Sequence, residues 1–277
     1  MGVNGTAPPR RSRFPLFVVP LLVIAVLASM AISPQLWGAG DLFDCDLARS
    51  LEGPQQGHLF GFDLQGCDMY AQVLYGARSS LSVALLVGAL TLVVGVALGS
   101  VIGFRGGWLD AVVQQASDVV LAVPLLLAAA VVMTFVDDRG VWPVSLTLVV
   151  LGWPPMTRVV RAEVRGLRQQ SFAEAARALG ASDRRILRRH ILPNAMWPIS
   201  VFAAGYTAVV VAAEAILTFL GVGLSLPAVS WGLMLARVRY RVLDHPHLLV
   251  PALFLSVTVA AFVFLGESLR NHFEPED

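Results

Sequence analysis

An all-α integral membrane protein is the fold class this sequence predicts. Three observations carry that reading. The 277 residues are 56% hydrophobic and only 14% charged, too few polar groups to coat a soluble domain of that length. Mean hydropathy is +0.71, and several apolar runs approach or exceed the roughly 20 residues that carry a helix across a bilayer. The runs are continuous, whereas strands of a membrane barrel alternate over about 10 residues. A helix also satisfies its own backbone in hydrocarbon.

Six spans follow, at about 14–36, 79–104, 108–136, 141–160, 196–222 and 247–268. The first comes after Arg10, Arg11 and Arg13. A cleaved signal peptide shares that basic start and small residues. The apolar run from Phe14 to Ile32 is longer than a usual signal core, which favours a retained anchor. In the second span Gly88, Gly95, Gly99 and Gly103 recur at helical spacing, which permits close helix crossing. Pro124 in the third, and Pro154 and Pro155 in the fourth, are expected to kink their helices, with packing meeting the freed carbonyls.

Arginine placement sets the orientation. All the basic side chains counted as Lys+Arg are arginine. The basic amino terminus is expected inside the cell. The segment 38–78, with Asp41, Asp44, Asp46, Glu52, Asp63 and Asp68, is expected outside. The stretch 158–195 carries nine arginines against Glu163, Glu174 and Asp183 and falls inside. Both termini then lie in the cytoplasm. Arg237, Arg239 and Arg241 run against the rule, on the outer side.

Two acids stand within spans, Asp118 and Glu214. Such groups cost about 2.5–3.5 kcal/mol on insertion scales and need a partner, a wet cavity or the bundle interior. Two readings stand for each: a role on a substrate pathway, or a structural hydrogen bond to a neighbouring helix.

The stretch SFAEAARALGASDRRILRRHILPN, from Ser171 to Asn194, differs from everything around it. Ser171 and Glu174 have the spacing of a capping box. Gly180 is placed to stop that helix, with Phe172, Ala176 and Leu179 on one stripe. Ser182 stands where it would cap a second helix, which is expected to end near Pro193. That helix puts Ile186, Leu187 and Ile191 on one face and stacks Arg184 with Arg188 and Arg185 with Arg189. Helices so short are marginal in water. They need a surface to rest on, either their own spans or a partner.

Glu174, Ala175, Ala176, Gly180, Leu192 and Pro193 resemble the EAA-loop signature of permease subunits in binding-protein-dependent ABC importers. HLFGFDLQGCDMYAQVLYGARSSL, DVVLAVPLLLA, EAILTFLGVGL, SWGLML and LGESLRNHFEP resemble the peptide branch, specifically its C-type subunit. His190 departs from the wider family, where an aliphatic residue is common. The resemblance divides the chain into 1–78, with the first span and an external segment, and 79–277, a transmembrane domain with its cytoplasmic loop at about 161–195. It implies that Ser171 through Pro193 form a coupling element docked on an ATPase. It further implies a homologous permease partner, two ATP-binding subunits or one fused ATPase, and an extracytoplasmic substrate-binding protein, in the lipid of a bacterial plasma membrane. ATP and Mg would belong to the ATPase subunits. The nickel importers are close relatives, so a nickel chelate or another small solute is an alternative cargo.

Peptide-branch members usually have arginine where Cys67 stands. The other cysteine, Cys45, lies in the same external segment, and two cysteines on an oxidising side favour a disulfide. Two buried free thiols are the alternative.

Several function classes are excluded. A net charge of +1 says nothing in favour of nucleic acid, and no nucleic-acid partner is expected. A phosphate-cradling P-loop requires a lysine, which this chain lacks. No serine–histidine–acid set has supporting context, so no catalytic residue and no cofactor are expected here. His245 and His247 flank Pro246, but the histidines are too scattered for a convincing metal site. An ion-gradient-driven secondary transporter, with Glu214 and Asp118 as proton sites, is the main competitor.

Overall fold

A computed structural model describes residues 17–273. Its helices are α1 (Val18–Ile32), α2 (Met69–Arg105), α3 (Gly107–Leu121), α4 (Leu125–Thr134), α5 (Val141–Arg168), α6 (Ser171–Ala178), α7 (Asp183–Ile186), α8 (Leu192–Phe219), α9 (Trp231–Val238) and α10 (Val250–Phe273). Among the described residues only isolated bridges, such as Cys45 with Cys67, have extended pairing.

Every expected span is helical within the described residues, but the bounds differ. α2 begins at Met69 rather than 79 because Asp68 caps it, accepting from the Tyr70 amide at 2.7 Å. Its 37 residues extend about 55 Å at 1.5 Å per residue, well beyond a hydrocarbon core of about 30 Å. The expected single span 108–136 is two helices, α3 and α4, bent by 79°. Pro124 holds an extended ψ of 125° at that break and has no N–H to continue the ladder. Pro154 and Pro155 are accommodated inside α5, which runs on to Arg168.

Three helical stretches are long and apolar enough to cross a membrane by themselves: α2, the run Asp183–Phe219, and Pro246–His272. The bent α3–α4 pair makes a fourth. α1 is apolar but has 15 residues, and α5 carries charge and paired prolines along with its apolar residues.

The glycine stripe of α2 decides how the bundle closes. A Cβ on Gly99 would stand 2.7 Å from the Thr157 carbonyl oxygen, and one on Gly103 2.7 Å from that of Arg161. Backbone-level contact therefore joins α2 to α5. α8 packs against both, and the Tyr206 hydroxyl donates to the Gly152 carbonyl at 2.6 Å, just before the proline pair. The main core gathers Val87, Leu148, Met156, Val160, Ile199 and Leu217 from α2, α5 and α8. A second core joins α1, the start of α2, α9 and α10 around Leu27, Met69, Val73 and Trp231.

Candidate coupling site

α6 and α7 project from the arginine-rich end of the bundle, opposite the disulfide. Their inner face is seated. Ala173, Ile186 and Ile191 are fully buried with Phe104, Val160 and Val164, and Phe172, Ala176, Leu187 and Leu192 pack around them. Alanine at 173 and 176 lets α6 lie close to this surface. Arg168 spreads its guanidinium over the Phe104 ring at 5.2 Å.

The outer face is bare. Ser171, Glu174, Ala175, Arg177, Ala178 and Gly180 are exposed, and Leu179 is 89% exposed. Leu179 thus leaves the stripe it was expected to share with Phe172 and Ala176. Helix α6 ends just before it, and the Leu179 and Gly180 amides return to the Ala175 and Arg177 carbonyls. Gly180 adopts φ of +80°, the left-handed stop its position predicts.

Two local expectations are corrected. Ser171 is the first residue of α6 and Gln170 occupies the cap position, with no side-chain cap hydrogen bond. Ser171 and Glu174 therefore do not form a capping box, because that motif needs the serine one position earlier. Ser182 does occupy the cap position of α7, again with no side-chain hydrogen bond. The second helix does not end at Pro193. It passes through a π turn, Leu187–Ile191, into α8. Pro193 comes just after that turn, in the first turn of α8, and having no N–H it cannot continue the helical ladder back into the turn. The Asn194 side chain donates to the His190 carbonyl at 2.5 Å. Periodicity gave no signal for this turn; π turns arise as single insertions in a helix, often at functional sites.

Asp118 and Glu214 lie apart from this site. Asp118 on α3 pairs with Arg158 on α5. Two turns earlier Asp110 accepts from Nε and Nη2 of Arg161, at 2.5 and 2.6 Å. These two acid–arginine rungs clamp the broken span to α5. Glu214 has 0% exposure. It accepts from the Thr218 hydroxyl at 2.9 Å with the Ser80 and Ser230 hydroxyls close by. Its second oxygen lacks a partner at hydrogen-bonding geometry.

At the opposite end a disulfide joins Cys45 to Cys67. Arg237, Arg239 and Arg241 follow or end α9, and Arg239 covers the exposed Tyr240 ring at 4.7 Å. His245 and His247 have ring centroids 5.8 Å apart. No group of three metal-ligating side chains forms among the described residues.

Comparison with known proteins gives one consistent answer. The chain is 33% identical over 262 residues to the oligopeptide transport system permease protein OppC of Bacillus subtilis (strain 168), covering 94% of this chain and 86% of that protein. It is 37% identical over 267 residues to the glutathione transport system permease protein GsiD of Escherichia coli O6:K15:H31, covering 94% and 84%. Among solved structures, a chain of the MetNI methionine ABC transporter in an inward-facing conformation shares the fold. That match has a TM-score of 0.57 at 19% identity and covers 73% of this chain and 96% of that one. Residues 95–276 match the family described as binding-protein-dependent transport system inner membrane component, and this multi-pass membrane protein belongs to that family.

Proposed function

We propose that the chain is the C-type permease subunit of an ATP-driven peptide importer in a bacterial plasma membrane. One observation carries the coupling role: α6 buries one face in the bundle core and leaves Glu174, Ala175 and Ala178 uncovered, with Leu179 bare just beyond its end. A helix this short holds its shape through a surface it packs on. Its outer face fits a groove on an ATPase subunit. Ser171, Glu174, Ala175, Ala176 and Gly180 form or shape the plug, and Leu192 and Pro193 join it to α8.

In this reading two ATP-binding subunits, or one fused ATPase, clamp on ATP and push α6. The buried contacts of Ala173, Ile186 and Ile191 pass the displacement to α2, α5 and α8. A homologous permease forms the other half of the pathway, and an extracytoplasmic binding protein delivers cargo. Alternating access requires each ligand to favour one of two states. ATP and Mg reside on the partners, and this chain performs no hydrolysis. Both termini face the cytoplasm, so the disulfide end faces outward. Residues 79–277 form the transport domain and 1–78 its amino-terminal anchor and external segment.

A peptide cargo is supported by the two relatives, which are named for transport of oligopeptides and of glutathione, itself a small peptide. The burial of Glu214 and the pairing of Asp118 with Arg158 support structural roles for both acids. The test is purification in mild detergent, followed by reconstitution with the copurified subunits and binding protein. ATP-dependent uptake of a labelled peptide is expected, without need of an ion gradient. Uptake that follows a proton or sodium gradient without ATP would establish a secondary transporter. ATP-driven uptake of a nickel chelate, with peptide ignored, would move the cargo and leave the coupling role standing. Glu214→Gln is expected to keep uptake; a fall with normal assembly would return Glu214 to the substrate pathway.

A further inference from the structure

The end of α2, the start of α3, the end of α5 and α6 enclose a polar cleft of about 430 Å³. Its charged walls are Asp110, Glu174, Arg165, Arg168 and Arg177. Asp110 is already occupied, because Arg161 holds both its oxygens. Three arginines then face a single carboxylate, Glu174. None of the three makes an ion pair among the described residues.

The floor of the cleft is the turn at Gly106 and Gly107, with φ of +66° and +73°. A Cβ on either glycine would meet nothing within 4 Å, so the space before this turn is open. The Gly106 amide is committed to the Ile102 carbonyl at 2.9 Å, and the guanidinium groups are the cationic donors of the cleft. Their planar forks match phosphate oxygens in pairs.

The surroundings point to a membrane source for that phosphate. Trp108, next to the turn, is 77% exposed, and Val112, one turn further along α3, is 55% exposed. Tryptophan concentrates at the bilayer interface, and further along α3 Val119 and Leu121 are exposed as well. The mouth of the cleft therefore lies level with headgroups, where basic pockets between helices hold anionic lipids.

We propose that this cleft binds the phosphate of an anionic phospholipid headgroup, clamped by Arg165 and Arg177 with Arg168 beside them. The bound lipid would brace α6 against α2 and α5, since Glu174 and Arg177 belong to α6. The assignment does not depend on the transported cargo.

Native mass spectrometry of the full chain, purified with its associated subunits, tests the site with phosphatidylglycerol as probe and phosphatidylcholine as neutral control. The wild type is expected to retain phosphatidylglycerol, and Arg165→Gln/Arg177→Gln to lose at least tenfold in retention. Arg188→Gln/Arg189→Gln, on an exposed face outside the cleft, is expected to retain it fully. Equal retention by the wild type and the Arg165→Gln/Arg177→Gln variant overturns the proposal. Inorganic phosphate that displaces phosphatidylglycerol and occupies the site by itself at millimolar concentration overturns the lipid assignment in favour of a soluble phosphate compound. A thermal-shift series with Arg165→Gln alone guards against misfolding of the double variant. Phosphatidylglycerol is expected to raise the melting midpoint of the wild type and not of Arg165→Gln, and equal shifts in both overturn the site.

Discussion

The disulfide end and the arginine-rich end of the bundle are stabilised by different means. At the first, a network of polar bonds, most of them within the external segment and the start of α2, closes the structure on itself. Asp63 is buried and accepts from the Gln65 and Cys67 amides at 2.8 and 2.9 Å and from the Gln72 side chain at 2.7 Å. Asp68 caps α2 and pairs with His58 at 2.6 Å. Trp231 donates from its ring to the Val73 carbonyl at 3.0 Å. At the other end α6 and α7 have no side-chain caps and rest on a small apolar footing. Buried polar groups that are fully paired fix one arrangement, whereas an apolar footing tolerates displacement. One end is braced by its own polar bonds, and the other presents an uncovered face at α6.

If that contrast is real, substitutions at the two ends should separate chain stability from assembly. The largest loss of stability is expected for Trp231→Ala. Trp231 has 0% exposure and joins α9 to α2, and large aromatic-to-alanine changes in cores cost about 3–5 kcal/mol. The melting midpoint of the detergent-solubilised chain checks it. A small shift would show that the outer end is less self-sufficient than its hydrogen bonds indicate. Next comes Cys45→Ser/Cys67→Ser, which opens a loop of 22 residues. Loop closure of that size contributes about 3 kcal/mol, felt in the external segment. Limited proteolysis should then cut between 45 and 67 while the spans stay protected; cutting within the spans would make the disulfide a global rather than local brace.

How much of this was legible in the sequence differs between the two ends for a physical reason. Apolar length placed the helices, and the proximity of Cys45 to Cys67 in one segment suggested their bond. Local chemistry also placed the left-handed Gly180. The break at Pro124 was expected as a kink, but a kink and a 79° re-aiming have the same sequence signal. The rungs Asp110–Arg161 and Asp118–Arg158 depend on how α3 lies along α5, which no local pattern encodes. The same is true of the Tyr206–Gly152 bond and of the Trp231 clamp. Periodicity puts Leu179 on one stripe with Phe172 and Ala176, because it reports a face without saying where the helix stops.

Intermediate between these is the seam joining the two ends. Gly99→Val places methyl groups where a Cβ alone would already stand 2.7 Å from the Thr157 oxygen and from the Val160 Cβ. Overpacking of this kind costs about 1–3 kcal/mol. The expected outcome is a lower melting midpoint with α2 and α5 separated, read as a longer distance between spin labels on these helices. An unchanged distance would mean that the small-residue stripe is not what brings them together.

The smallest expected effect on the chain itself is also the sharpest test of the comparison. Leu179 is 89% exposed and contributes no burial, so Leu179→Ser should move the stability of the isolated chain by no more than about 0.5 kcal/mol, as for other surface changes. If α6 is a plug, the same substitution removes an apolar anchor from the covered interface, where burying a leucine side chain contributes about 1.5–3 kcal/mol. A tenfold or greater loss of affinity for the ATPase subunit corresponds to about 1.4 kcal/mol and should be visible in titrations of the purified partners. Ala173→Leu, on the seated face, should behave in the opposite manner, disturbing the chain whether or not a partner is present. Leu179→Ser that leaves ATPase binding intact would mean the exposed apex is not the contact, and that the two ends differ in rigidity without differing in purpose.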